Sequence, residues 1–180
     1  IATDGWSAVV LERDLGRLCR AALAADPTGL PPLPVRFADY AAWQQERLTD
    51  AGLRDGLAYW RAQVGGVEPL ALPADRPRAA ERDVSGAGVP VQLAGDRAAA
   101  IEAVSRRLGV TPFVTLLTAY AMTLARHTGR LDFAVGSPVA GRSRPEFEDL
   151  VGPFLNPVAL RCRLSGDPTF AQAVAAVRTT

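Results

Sequence analysis

Apolar positions along this chain recur with helical spacing in long stretches and with strand spacing in short ones. Leu11, Leu15, Leu18 and Ala22 follow one another at steps of four, three and four, which is a single helix face. A second helix is predicted from about Arg36 to Leu48, with Phe37, Tyr40, Ala41 and Leu48 on its apolar side and Gln44 as the polar exception. A third places Leu53, Leu57, Trp60 and Val64 together and stops at Gly65-Gly66. Residues 66 to 82 carry Pro69, Pro73 and Pro77 among charged residues, so they read as a connecting loop.

Val89 to Leu93 reads as a short strand, at an edge because of Pro90. A helix from about Asp96 to Leu108 turns Ile101, Val104 and Leu108 inward. Thr111-Pro112 is a helix start, with Thr as the cap and Pro at the first helical position. Phe113, Leu116, Leu117, Tyr120 and Leu124 give that helix a broad apolar face, so it is expected to be buried, and Gly129 ends it. Asp132 to Gly136 is a predicted strand. Val158 to Leu164 is a second, in which Val158, Leu160, Cys162 and Leu164 alternate with polar or small residues. Asp167-Pro168 is expected to open a last helix with Phe170, Val174 and Val177 inward. Helices alternate with strands and outweigh them, so the class is α/β or α+β. No internal repeat or low-complexity segment interrupts the pattern.

Composition narrows the functions. The net charge of +1 gives no field to draw nucleic acid or an anionic membrane, and no apolar run nears the ~20 residues of a spanning helix. No signal peptide is visible, and the expected compartment is the cytoplasm. Cys19 and Cys162 form neither a disulfide framework nor a zinc site and are expected as reduced thiols; no metal is expected. His127, the one histidine, falls at a predicted helix C-terminus, where the helix dipole favours it, rather than at a centre of chemistry. The chain opens on Ile1 without Met and closes inside a helical pattern, so both ends are expected to be cut from something longer.

Four segments carry a resemblance when taken in order. They are Asp4-Gly5-Trp6-Ser7; Phe37 to Gln44, with its Asp39-Tyr40-Ala41-Ala42-Trp43-Gln44 run; Tyr59-Trp60 through Leu72-Pro73 to Arg78; and Val151 to Pro157, preceded by Gly136 to Arg142. Together they resemble the condensation domains of nonribosomal peptide synthetases. Asp4-Gly5 matches the tail of that family's signature of two His, three variable residues and Asp-Gly, which puts the catalytic His immediately before Ile1. Pro153 and Pro157 depart from the family pattern at the fourth segment.

The resemblance implies a chloramphenicol acetyltransferase-like, two-lobe α/β sandwich, present here in part. Residues 1–94 would be the tail of the N-terminal lobe and 95–180 the first part of the C-terminal lobe. Such a piece is expected to fold poorly alone, because missing partner strands leave apolar faces uncovered. The implied activity is amide formation between carrier-bound aminoacyl or peptidyl thioesters, with this chain inactive alone for want of the His pair. No cofactor is expected to bind directly; 4'-phosphopantetheine would arrive on donor and acceptor peptidyl carrier proteins, and an adenylation domain would be adjacent. Asp4 and Gly5 are the signature remnant. Asp4 is expected to pair with an Arg upstream of the chain and to cap the following helix, and Gly5 to permit close approach or an unusual backbone conformation. Asn156, Trp6 and Ser137 are the substrate or pantetheine candidates, although Trp6 is more readily a core residue than a substrate wall. Asp39, Tyr40 and Trp43 are expected to pack, and Arg142 and Arg144 to be solvated loop charges or carrier contacts. Two alternatives stay open: a non-catalytic, condensation-like docking domain, and a coenzyme A-dependent acyltransferase of the same superfold. Asp132-Phe133-Ala134-Val135-Gly136 only faintly echoes the motif of the latter.

Overall fold

In the computed structural model, residues 2–25, 29–75 and 84–180 are described. The order of elements is α1 (Gly5–Leu23), α2 (Phe37–Arg47), α3 (Asp50–Val64), α4 (Gly95–Leu108), α5 (Pro112–Thr128), β1 (Asp132–Val139), a 3-10 turn (Pro145–Phe147), β2 (Asn156–Arg163) and α6 (Phe170–Arg178). The predicted helices form close to their expected ends. β1 pairs with β2 in a two-stranded sheet. Leu164 N–H donates to the Leu131 carbonyl at 2.7 Å, so the start of β1 lies beside the end of β2 and the strands run antiparallel.

Two compact units divide the described chain. One comprises Ile1–Gln63 and Gly136–Val158, the other Val64–Val135 and Ala159–Thr180. Each has its own core. In the first, Tyr40, Phe147, Leu150 and Phe154 are buried, with Phe37 and Trp43 packed against them. The rings meet edge to face or tilted, at centroid distances of 4.4 Å for Tyr40–Phe154 and 5.0 Å for Tyr40–Phe147, the geometry that aromatic quadrupoles favour. Tyr40 and Trp43 therefore pack as expected, whereas Asp39 does not: it is exposed and accepts the Arg36 N–H at 2.7 Å at the start of α2.

In the second unit, Phe133 and Cys162 from the sheet meet Ala121 and Ala125 of α5 and Ala173 and Val177 of α6. Local signals explain the helix ends. Thr111 Oγ1 accepts the Val114 N–H, Pro112 occupies the first turn, and Gly129 closes α5 in the left-handed region at φ +69°. On α6 the cap is Thr169 rather than Asp167: Thr169 and Gln172 exchange side-chain and backbone bonds as a capping box, which the Asp-Pro pair concealed.

Two expectations, the strand at 89–93 and the inward face of α5, need correction. Val89 to Leu93 forms no strand, because no partner strand pairs with it among the described residues. The stripe Leu11, Leu15 and Leu18 of α1 is exposed, with Leu15 at 63%, and the buried residues of that helix are Ser7 and Val10. On α5 the large residues Phe113, Leu116 and Tyr120 face outward, whereas Thr115, Thr118, Ala121 and Ala125 are buried. Small residues admit close neighbours: Ser105 of α4 and Thr115 of α5 share a buried hydroxyl–hydroxyl bond of 2.7 Å. No single helix among the described residues is long and apolar enough to cross a membrane. The expected loop at 66–82 lacks regular structure as far as Asp75; Arg76, Pro77 and Arg78 of the third motif lie outside the described residues.

Candidate functional site

Asp4 stands in extended backbone just before α1, and its carboxylate caps the helix, accepting the Ser7 N–H at 2.8 Å. The same Oδ1 accepts from Ser7 Oγ at 2.7 Å and from Arg142 Nη2 at 3.3 Å, and Oδ2 accepts the Phe154 N–H at 3.0 Å. The expected cap is therefore present. The cation is Arg142, inside the chain, where the resemblance implied an arginine upstream of it. The Asp4 and Arg142 side chains are 5% and 2% exposed. Arg142 is thus not a solvated loop charge, and that expectation is overturned.

The guanidinium is held from several sides. Nη1 donates to the Leu150 carbonyl at 2.8 Å and to the Phe147 carbonyl, Nη2 donates to Ser7 Oγ at 3.1 Å, and Cζ lies 4.0 Å from the centre of the Phe154 ring. The arrangement meets the cost of a buried cation with a carboxylate, carbonyls and a ring face. Nε alone lacks a hydrogen-bond partner among the described residues.

Burial by itself would raise the Asp4 pKa. The bonds from the Ser7 side chain and the Ser7 and Phe154 backbone, with the charge of Arg142, outweigh it and lower the pKa from 3.8 to about 2. A carboxylate so held stays ionised at neutral pH and is too weak a base to take a proton from an amine. Asp4 is an anchor.

Two glycines make the approach possible. Gly141 has φ +68°, and a Cβ there would overlap the Phe154 carbonyl oxygen. A Cβ on Gly152 would overlap the Phe37 ring. Further links join α1 to the same region: Trp6 Nε1 donates to the Glu148 carbonyl at 2.9 Å, and Arg13 pairs with Asp149 at 2.6 Å. The first and fourth motif segments, roughly 140 residues apart, therefore form one hydrogen-bonded cluster.

The remaining candidates fall as follows. Trp6 is 48% exposed, so it is not a core residue. Gly5 opens α1 with ordinary helical backbone, and a Cβ there would meet open space, so no unusual conformation explains it. Asn156 is exposed at the start of β2, two residues after Phe154, and Ser137 is half-buried in β1. No hydrogen bond among the described residues ties Asn156 or Ser137 to Asp4. Arg144 lies over the Trp43 ring at 5.1 Å, and His127 sits in the last turn of α5, as its sequence position implied. No group of His, Cys, Asp and Glu able to hold a metal occurs among the described residues. Sequence reading missed Ser7 and Arg142 as members of the cluster. The signal was their place inside quoted motifs, beside glycines that let backbone come close.

The family model described as "Condensation domain" matches residues 1–180. This chain is a member of the condensation domain family. It is 47% identical over its whole length to one of the linear gramicidin synthase proteins of Brevibacillus parabrevis, of which it covers 2%. It is 42% identical over 98% of its length to phosphinothricin tripeptide synthetase PhsC of Streptomyces viridochromogenes, covering 16%. Among solved structures, SgcC5 of Streptomyces globisporus superimposes on 99% of the chain at TM-score 0.83 and 34% identity, and 40% of that protein is covered. The X-domain from teicoplanin biosynthesis matches equally well, at TM-score 0.83 and 31% identity, with 41% covered. The condensation domain chain thus spans about two fifths of these solved relatives. The first condensation domain of the calcium-dependent antibiotic synthetase, at TM-score 0.79 and 22% identity, shares the fold. The expected fold class therefore holds: this is part of a chloramphenicol acetyltransferase-like α/β domain.

Proposed function

We propose that this chain is part of a condensation domain that joins two carrier-bound thioesters through an amide bond in nonribosomal peptide synthesis. The observation that carries the reading is the cluster in which the signature remnant Asp4, buried and ionised, is locked to Arg142 and to the Phe154 N–H, with Ser7 joining it to Gly152. That lock holds the Asp4 end of the signature in place, and the signature puts a His directly before the three residues that precede Asp4. A His there has the right chemistry, since a neutral imidazole accepts a proton near working pH. The acceptor amine attacks the donor thioester carbonyl, the C–N bond forms, the C–S bond breaks, and the amine proton passes by way of the imidazole to the departing thiolate.

Gly5, Trp6, Asn156 and Ser137 complete the proposal. Gly5 leaves room for a thioester beside the signature turn, since no atom stands where its Cβ would be. The Asn156 amide offers two donors and an acceptor, matched to the amides of phosphopantetheine, and it is exposed here. Trp6 supplies a half-exposed ring as a substrate wall, and Ser137 a hydroxyl for the pantetheine arm. Donor and acceptor carrier proteins, each with its phosphopantetheine arm, are the partners, beside an adenylation domain in the cytoplasm. Residues 1–94 belong to the N-terminal lobe and 95–180 to the C-terminal lobe in this reading.

A second reading has one observation behind it: the likeness to the X-domain, which has been solved in complex with OxyB, favours a recruiting domain without turnover. The test presents the intact domain with an amine on an acceptor carrier protein and, in turn, a carrier-bound or a coenzyme A-bound donor. Amide product from the carrier-bound donor supports the proposal. Product only from coenzyme A indicates an acyltransferase of the other type, and product from neither donor indicates recruitment.

A further inference from the structure

Ser7 is fully buried, at 0% exposure, in the first turn of α1. Its hydroxyl oxygen accepts from the Gly152 N–H at 3.0 Å and from Arg142 Nη2 at 3.1 Å. Its single proton has two acceptors within reach, Asp4 Oδ1 at 2.7 Å and the Gly152 carbonyl at 2.9 Å. A hydroxyl has two lone pairs and one proton, so this one is saturated. It has no lone pair left for nucleophilic attack. What it does is accept the N–H of Gly152 while its proton goes to the nearer, charged Asp4 carboxylate, with the Phe37 ring packed where a side chain on that glycine would stand. Gly152 leads through Phe154 to Asn156 within four residues.

We propose that Ser7 is a positioning residue, its hydroxyl setting the register of the Asp4–Gly5 turn against the backbone that leads into Asn156. The inference rests on the condensation reading above, since the turn and Asn156 matter together only if one substrate path runs past both. Asp4 holds the turn to Arg142 and to the Phe154 N–H; Ser7 adds a second point of attachment at Gly152, and two points set how the turn lies along the 151–155 backbone. Without the hydroxyl, the buried Gly152 N–H loses its acceptor, and the turn is held to this backbone at Phe154 alone, so the two segments can shift against each other. A displacement of about 1 Å between groups that must align with a reacting centre is enough to cost roughly 100-fold in rate.

The test compares Ser7→Ala with Val177→Ala in the intact domain, at a temperature where both are folded. Val177 is buried in the other unit's core and serves as a control for simple destabilisation. Two quantities are read: steady-state amide formation from carrier-bound substrates, and hydrogen exchange at the Gly152 and Phe154 amides. The expected result for S7A is a kcat about 10- to 100-fold lower with KM for both substrates within about twofold, because the loss falls on alignment rather than binding. Exchange at Gly152 should quicken by about tenfold or more, while V177A keeps the wild-type kcat. Should S7A fail to fold, Ser7→Cys fills the same space with a weaker donor and acceptor and should move kcat in the same direction. Equal kcat in wild type and S7A, or equal losses in S7A and V177A, would overturn the positioning role and leave the condensation reading intact. A wild-type domain that forms no amide would overturn that reading first, and the positioning role with it.

Discussion

Replacing Asp4 by Asn keeps the size of the side chain and removes its charge, which isolates the electrostatic part of the anchor. Asn has one acceptor oxygen. Placed where Oδ1 stands, that oxygen still receives the Ser7 and Arg142 donors, and the amide nitrogen then faces the Phe154 N–H, donor against donor. Arg142, 2% exposed, is left without a countercharge. Removing one member of a buried ion pair costs about 3–5 kcal/mol. The pKa gives an independent lower figure. A carboxylate lowered from 3.8 to about 2 contributes at most about 2 kcal/mol at neutral pH, and less after solvent screening. Its sign is that of a depressed acid: the stabilisation is complete above 3.8, the unfolded-state value, and is lost as pH falls toward about 2. Urea denaturation of the intact domain and its D4N variant should therefore differ by about 2–5 kcal/mol at about pH 7 with unchanged m-value, and the gap should narrow by roughly 1 kcal/mol at about pH 3. A D4N variant within about 0.5 kcal/mol of wild type, the size of an ordinary surface change, would show that Asp4 is no anchor. So would a gap that does not change with pH.

Other consequences are equally direct. Gly141→Ala forces a side chain into the left-handed region and onto the Phe154 carbonyl, so it should lower stability by about 2 kcal/mol or more in the same urea assay. The Cys162 thiol is fully buried and its pKa is raised by burial, whereas Cys19 is exposed. Brief treatment of the folded chain with iodoacetamide should label Cys19 and spare Cys162 until denaturant is added, as read by peptide mass mapping.

Periodicity located the six α-helices among the described residues, because each carries enough apolar repeats and punctuation to reveal itself: Thr111-Pro112 and Gly129 bracket α5 as expected. It was less able to say which face turns inward. The Leu11, Leu15 and Leu18 stripe is exposed, and Ser7 and Val10 are the covered residues of α1. Hydrogen bonds to Gly152 and Arg142 decide that orientation, and a hydrophobic pattern carries no trace of them. The same holds for α5, where threonines and alanines lie inward because neighbouring helices approach closely. A strand signal such as Val89 to Leu93 reports only a local preference, and strands need partners. Of the candidate site, Asp4 was legible as a cap. Its pairing with Arg142, 138 positions away, was not, since a single sequence holds no sign of which long-range charges meet.

In the proposed reading, amide synthesis depends on an imidazole directly before Ile1, where the family signature puts a His. Single-turnover product formation by the intact domain, with donor and acceptor thioesters loaded on their carrier proteins, decides the matter when it is followed before and after that residue is changed to Ala. The expected outcome is a His at that position, amide product from the wild type, and a fall in rate of about 100-fold or more in the variant. A residue other than His there, or product formed at the same rate after its replacement, would contradict the requirement.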